Sequence, residues 1–381
     1  MPKLNKKKIK FGPKKCFNIH IGSSEKCTDF LKVHEGQINH KEFETYLGDI
    51  ICSSGSNKKN IENRTNRGIG AVSEIISTLN QVSLGHYHYE IALIFRDSML
   101  ISKVVYSAEV WNNITNAEFK KLEEVDEMYF RKIFELPKSA PRIGMYAECG
   151  KIPIRYIIKT RRLLYYWHLI HLEDKELLSK FYMAQKLKPG RNDWVMTLKK
   201  DMEEIGLKIS EEEVKNISLE KFKNMVQCKV KICVKKSFIK KQGSKTEHLK
   251  FEISTPSKYL FSKVLNKDEI QTLLKLRTRT IDVKMNQESS YKNNMWCRVC
   301  LLFVESQQHI IQCPEVRKKL DYINFDHIKY EMIWGKLGEQ EIFAKLYHLA
   351  LNAWMDIRNY EKSSSTEDPC TSTDVELRQI V

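Results

Sequence analysis

The sequence predicts a mainly α-helical protein with a small α+β segment at the N-terminus and a compact cysteine–histidine module near the C-terminus. Three observations carry this reading. From Ile69 to His171 apolar residues recur three and four positions apart, which is the helical period. The first 55 residues instead hold short alternating runs broken by Gly and Ser. Toward the other end stand Cys297-Arg-Val-Cys300, His309 and Cys313-Pro314, a C-x2-C-x8-H-x3-C spacing. Three thiolates and one imidazole make a closed tetrahedral zinc site, with Zn–S near ~2.3 Å and Zn–N near ~2.0 Å. The module therefore reads as a CCHC zinc knuckle holding one structural Zn2+. The x3 spacing suits a single helical turn with His309 and Cys313 on one face.

Composition narrows the class. A chain of 381 residues suggests two or three domains, and 42% hydrophobic residues suffice for real cores. The net charge of +16 favours a polyanionic partner, first of all RNA or DNA. No run of eighteen apolar residues occurs, so no membrane span and no membrane partner is expected. Met1 to Lys15 carries seven lysines with no apolar stretch after them, unlike a signal peptide, and is not the Arg- and Ser-rich pattern of a presequence. Ten cysteines in a large lysine-rich chain point to reduced thiols plus one metal site. The expected location is intracellular, in the nucleus, the cytoplasm or both.

The elements follow in order. Residues 15–21 alternate and meet Gly22, a strand and turn. Gly36, between Leu31–Val33 and Ile38, marks a hairpin. Phe43 to Ile51, with Tyr46-Leu47-Gly48 inside it, reads as another strand, and Ser53 to Asn57 as a loop. Ile69, Val72, Ile75, Ile76 and Leu79 predict a helix. Ile91, Ile94, Phe95, Ser98 and Ile101 predict a second one running toward Trp111. Thr115-Asn-Ala-Glu118 is a capping-box pattern that opens a third, ending before Pro137. Pro153 suits the first turn of a fourth, continuing through His171. Leu273 to Arg279 predicts a short helix leading into the knuckle. Ile342, Leu346, Leu349, Ala350 and Ala353 predict a closing helix. The chain thus divides into an α+β segment (1–55), a helical region (56–210), a lysine-rich connector (211–285), the knuckle with its closing helices (286–361) and a Ser/Thr-rich disordered tail (362–381).

Candidate nucleic-acid contacts come from charge patterning. In the fourth helix Ile154, Ile157, Ile158, Leu164 and Tyr165 make an apolar side. Arg155, Lys159, Arg162 and Tyr166 fall on one stripe of the other side, suited to a phosphate backbone with a stacked base at its end. Residues 211–250 are dominated by lysine, with Lys229, Lys231, Lys235, Lys236, Lys240, Lys241, Lys245 and Lys250 in one run. This is either a basic helix and linker or a flexible arm. Arg277 and Arg279 are placed to flank a phosphate, and Trp296 and Phe303, beside the metal ligands, to stack on unpaired bases. His86-Tyr-His88-Tyr-Glu90 reads as structural rather than as a second metal site. No Gly-x4-Gly-Lys-Ser/Thr loop and no Gly-x-Ser-x-Gly elbow is present.

Several stretches, in this order, resemble the downstream part of a non-LTR (LINE-type) retrotransposon reverse transcriptase. They are Lys10-Phe-Gly-Pro-Lys-Lys-Cys16 with Ile19-His-Ile-Gly22; Phe43-Glu-Thr-Tyr-Leu-Gly-Asp-Ile50; Tyr106 to Glu135 with Leu136-Pro-Lys-Ser-Ala-Pro141; Glu148-Cys-Gly-Lys-Ile-Pro-Ile-Arg155 with Arg161-Arg-Leu-Leu; Asn192-Asp-Trp-Val195 with Leu198 to Gly206; and the CCHC group with Glu305-Ser-Gln-Gln. The resemblance covers nearly the whole chain. It implies the end of a palm, a primer-grip strand carrying Tyr46, Leu47 and Gly48, helical thumb elements and a C-terminal zinc knuckle. It also departs from the family. Two-metal polymerases clamp Mg2+ with paired aspartates, and no Asp-Asp pair occurs here. The resemblance therefore implies a C-terminal fragment of an RNA-directed DNA polymerase. Such a fragment would bind zinc and nucleic acid without a Mg2+ site or catalytic residues, with an upstream polymerase portion of the same element as its expected protein partner. Lys14 or Lys15 matches a basic position near the family's active site, idle without the aspartates. The alternative is a host-adopted, stand-alone zinc-knuckle adaptor for nucleic acid.

Overall fold

Short alternating segments at the N-terminus form two small sheets. The structure is a computed structural model that describes residues 16–21, 31–33, 36–190, 193–243, 246, 248–249, 252, 255–287 and 294–364. β1 (Phe17–Asn18) runs parallel to β3 (Gly36–His40), and β2 (Leu31–Val33) pairs antiparallel with β3 in the order β1-β3-β2. The hairpin expected around Gly36 is therefore present, with Val33 opposite Gly36. The strand expected over Phe43 to Ile51 is instead a hairpin, β4 (Phe43–Tyr46) and β5 (Asp49–Cys52). Leu47 and Gly48 both have positive φ, +49° and +90°, the backbone of a two-residue turn that matches strand twist. So Tyr46-Leu47-Gly48 is a hairpin tip, with Tyr46 and Leu47 exposed. The tip is fastened to the helices. Arg64 donates to the Gly48 carbonyl at 2.8 Å and to Asp49 at 2.6 Å, and the Tyr106 hydroxyl donates to the Leu47 carbonyl at 3.1 Å.

The remainder is helical and mainly α, as the periodicity predicts. α1 (Lys58–Gln81) buries Ile61, Val72, Ile75 and Leu79. α2 (His88–Phe95) passes through a π-helical turn (Arg96–Leu100) into α3 (Ile101–Val104). This second helix stops well short of Trp111, because Ser107 turns left-handed at φ +56°. α4 (Asn116–Ile133) starts with the predicted capping box: the Glu118 N–H donates to the Thr115 hydroxyl, and the Thr115 N–H donates to the Glu118 carboxylate. Between α2 and α4, Arg96 and Asp126 form a buried bidentate pair at 2.8 and 2.7 Å, joined by the Tyr146 hydroxyl at 2.8 Å.

α5 (Arg142–Cys149) leads to α6 (Ile154–Ile170), which Pro153 introduces. α7 (Leu177–Leu187), α8 (Trp194–Ile205), α9 (Glu211–Lys215) and α10 (Leu219–Lys241) follow. α6 is the central rod, packed on α4, α8 and α10. The lysine-rich segment is an ordered helix and no loose arm as far as Lys241. Phe222, Val226, Val230, Val234 and Phe238, every fourth residue, seat α10 on α6 and α8. Lys245 and Lys250 lie outside the described residues, as do most of Lys10–Cys16, Gly22, Asn192 and the tail from residue 365.

α11 (Lys267–Arg277), α12 (Gln307–Ile310), α13 (Pro314–Lys319) and α14 (Leu337–Ser364) complete the chain. The closing helix is present, but its inward face is Phe343, Tyr347, Ala350 and Trp354; Ile342 and Leu349 are exposed. Glu148 ties this half to the first. It is buried and accepts from Ser257 at 2.7 Å, Tyr259 at 2.8 Å and Arg277 at 2.9 Å. Next to it Gly150 has φ +60°, and a Cβ there would lie 2.6 Å from the backbone of Thr255 and Pro256. The Glu148-Cys-Gly150 stretch is thus a structural seam.

Candidate metal centre and basic surfaces

The knuckle folds around its first two cysteines. Trp296 and Val304 form an isolated antiparallel bridge, and the Cys297 N–H donates to the Phe303 carbonyl at 2.7 Å. Leu301, at φ +56°, turns the chain between them, and its N–H returns to the Cys297 carbonyl at 3.0 Å. The Ser306 hydroxyl caps α12 by accepting from the His309 N–H at 3.1 Å. His309 and Cys313 do not share a helical turn, contrary to expectation. α12 ends at Ile310, and Cys313 is the extended residue before α13, with ψ 123°. Pro314 causes this, since the residue before a proline is driven out of the α region.

The result is a cluster that could hold a metal ion. One ligand atom from each of Cys297, Cys300, His309 and Cys313 lies within 4.8 Å of the others. Cys297 and Cys313 are wholly buried, His309 nearly so, and the Cys300 sulfur is 3.3 Å from His309 Nε2. The neighbouring Cys313 thiol draws the Cys297 pKa well down, against the opposing effect of burial, and Cys313 is pushed up by the same neighbour. A divalent cation bound there would leave both sulfurs as thiolates. His86, His88 and Glu90 form no such group among the described residues.

A polar frame that the spacing did not reveal supports the cluster. Glu305 is fully buried and accepts from the Arg298 guanidinium at 2.9 Å, the Arg298 N–H at 2.7 Å and the Lys284 N–H at 2.9 Å. Gln307 donates to the Leu276 carbonyl at 3.1 Å, and the Tyr347 hydroxyl donates to the Gln307 carbonyl at 2.9 Å, fixing α12 to α11 and α14. Ligand-bearing turns need such outer partners to hold their geometry. The only signal for Glu305 was a carboxylate inside a ligand loop. Outside the cluster, Trp296, Leu301, Leu302, Phe303 and Val304 are exposed together, and the Phe303 ring lies 5.6 Å from His309.

The basic residues separate into two groups. The Arg155–Lys159–Arg162–Tyr166 stripe is not a surface. Arg155 forms a two-bond pair with Glu123 of α4, at 2.6 and 3.1 Å. Lys159 pairs with Asp201 at 3.1 Å and with Glu204; Arg162 pairs with Asp201 and donates to the Trp111 carbonyl at 2.7 Å. Tyr166 is buried beside Tyr182 and Phe222. Carboxylates on α4 and α8 neutralise the stripe, so it is an interior ion-pair seam. Arg277 is also interior: it grips Glu148, donates to the Ile333 carbonyl at 2.7 Å and stacks on Trp334 at 4.3 Å. Arg279 is half-buried at φ +50° just past α11 and engaged by neighbours, so the two do not form an open phosphate clamp. Lys235, Lys236, Lys240 and Lys241, by contrast, are exposed along α10.

No helix is long and apolar enough to cross a membrane among the described residues. No protein-family model, no curated protein and no solved structure matches the chain.

Proposed function

We propose that this chain is a nucleic-acid-binding zinc-knuckle protein, the non-catalytic downstream portion of a non-LTR-type reverse transcriptase. It would hold one structural Zn2+ on Cys297, Cys300, His309 and Cys313. The observation that carries the reading is the pairing of that buried ligand cluster with Trp296 and Phe303, exposed on the strand bridge just outside it. The three-sulfur, one-nitrogen donor set suits zinc best among biological cations. When bound, the ion supplies a crosslink that holds the knuckle's turns, and the exposed rings offer stacking platforms for unpaired bases. The +16 charge and the lysines along α10 add contacts to phosphate. No catalytic role falls to any residue in this reading.

Metal analysis of protein purified under reducing conditions tests the first part; absence of zinc ends it. Fluorescence anisotropy with single-stranded and duplex RNA and DNA tests the second. Each duplex phosphate neutralised adds about 0.9 to the slope of log affinity against log salt. Trp296→Ala is expected to weaken single-strand binding more than duplex binding. Charge reversal at Lys235, Lys236, Lys240 and Lys241 is expected to weaken both and flatten the slope. An unchanged slope and affinity in that variant would remove α10 from the binding surface.

A further inference from the structure

α7 presents its apolar side to solvent and its polar side to the protein. The Tyr182 hydroxyl and the Lys186 ammonium both donate to Glu211, at 2.9 and 2.7 Å, and the Tyr182 ring lies 6.1 Å from that of Tyr166. Ser179 is buried on the same side. The opposite stripe carries Leu177, Phe181, Ala184 and Lys188, which the helical period points in one direction. Leu178 and Leu187 stand on its two flanks. Leu177 is 67% exposed, Phe181 59% and Leu187 82%. A contiguous apolar patch of this kind on a folded surface marks an interaction site.

The charges at the two ends of α7 say what covers it. Ahead of the helix the chain turns, with the Glu176 N–H donating to the Glu173 carbonyl at 2.9 Å, and exposes Asp174 and Glu176. Lys188 is exposed past the other end. Among the described residues these three have no ion pair, whereas Glu173 is taken by Lys175 and Lys186 by Glu211. Acid before a helix and base after it suit the helix dipole, but the dipole does not account for the apolar stripe between them. The stripe residues stand four, three and four positions apart, a palindromic spacing. An antiparallel copy therefore sets Phe181 opposite the partner's Ala184, large against small, and Leu177 opposite the partner's Lys188. The aliphatic stem of the partner's Lys188 covers the leucine while its ammonium reaches Asp174 and Glu176. A parallel copy would set acid on acid and base on base.

We propose that α7 is a self-association surface: two copies of this chain pair through it, antiparallel about a two-fold axis, with Phe181 near the centre and Lys188 against the Asp174–Glu176 turn at both ends. Such a contact is isologous, so each favourable pair is made twice. α7 has eleven residues, a face about 16 Å long. That falls short of the roughly 1,200 Å² buried in a stable complex, so the dimer forms and dissolves at micromolar concentration. The pairing needs neither metal nor nucleic acid. Where two knuckles then meet one strand, the second binds at an effective concentration rather than from solution; that consequence alone rests on the nucleic-acid reading.

Sedimentation velocity of the full chain as purified, freed of nucleic acid, tests the pairing across the micromolar range. The parent is expected to pass from monomer to dimer, and Phe181→Glu to remain monomeric throughout. Two charge variants read the register. Lys188→Glu sets acid on acid, and Asp174→Lys with Glu176→Lys sets base on base; each is expected to weaken self-association roughly tenfold. An equimolar mixture of the two restores opposite charges at both ends and is expected to dimerise as the parent does. All four positions are exposed, so the substitutions leave the core untouched. A parent that stays monomeric, or a Phe181→Glu chain that dimerises like the parent, overturns the proposal. So does a mixture that associates no better than its components. Binding of a monomeric parent to vesicles of anionic lipid, lost in Phe181→Glu, overturns it in favour of a lipid surface.

Discussion

Replacing Asp201 tests the reading of α6 as an interior rod. Asp201 stands on α8 between two cations of α6. Its side chain is 6% exposed, that of Arg162 1% and that of Lys159 5%. Asp201→Asn keeps the size and removes the charge. Lys159 would still reach Glu204, whose side chain is 49% exposed. Arg162 would keep the Trp111 carbonyl at 2.7 Å and at most a neutral amide oxygen at position 201, and its Nε is already buried without a partner. Burial lowers the Arg162 pKa even in the intact protein, with Asp201 opposing that effect. Leaving such a charge uncompensated costs about 3–5 kcal/mol. For a helical unit of this size that corresponds to a fall in melting temperature of roughly 6–20 °C. Urea and thermal unfolding of the zinc-loaded chain, followed by far-ultraviolet circular dichroism, measures it. The double variant Asp201→Leu with Arg162→Met is expected to regain much of the loss, because no orphan charge remains. A single variant as stable as the parent but weaker in nucleic-acid binding would refute the reasoning and return the stripe to the surface.

Other expectations follow from the same contacts. Gly150→Ala forces a Cβ against the Thr255–Pro256 backbone at left-handed φ and is expected to cost about 2–4 kcal/mol, read by chemical denaturation. Cys300→Ser, or a strong chelator, removes a structural ion whose binding contributes on the order of 10 kcal/mol to a small module. Hydrogen exchange is expected to rise across residues 294–320 and stay unchanged in α1 to α6; exchange spreading into α6 would contradict a separate knuckle. Glu211 is partly buried, which alone would raise its pKa, but hydrogen bonds from Lys186 and Tyr182 outweigh that and lower it. A depressed carboxyl contributes stability above its unfolded value of about 4.3 and loses it as pH falls through the folded one. The α7 amide resonances are therefore expected to lose native dispersion below about pH 4, and Glu211→Gln to abolish that pH dependence.

The capping box at Thr115 and Glu118, the hairpin at Gly36 and the four-residue cluster that could hold a metal were legible because each is a local pattern. A box needs three residues of separation, a hairpin a glycine between two apolar runs, and a closed zinc site four donors close in sequence. The mainly helical class was legible for the same reason, since apolar period is a property of consecutive residues. Errors arose where one local pattern fits two structures. Phe43 to Ile51 reads as a strand or as a hairpin, and only two positive φ values in succession, at Leu47 and Gly48, separate them. His309-x3-Cys313 reads as one helical turn until Pro314 is weighed against it.

By itself the sequence determines the helices, the ligand set and the excess of positive charge, which are matters of identity and spacing. The tertiary structure alone decides which charges face water. Arg155, Lys159 and Arg162 are spaced like an open basic face, but Glu123, Asp201 and Glu204 arrive from other helices and close it. Lys235, Lys236, Lys240 and Lys241 do not even share one stripe, yet α10 buries its valines and phenylalanines and leaves these lysines outward. Tyr347 shows the same division beside the candidate metal centre, donating to the Gln307 carbonyl from a helix that follows the whole knuckle. A charge or a donor acquires its role from its partner, and partners brought together across helices leave no mark in the spacing of either one.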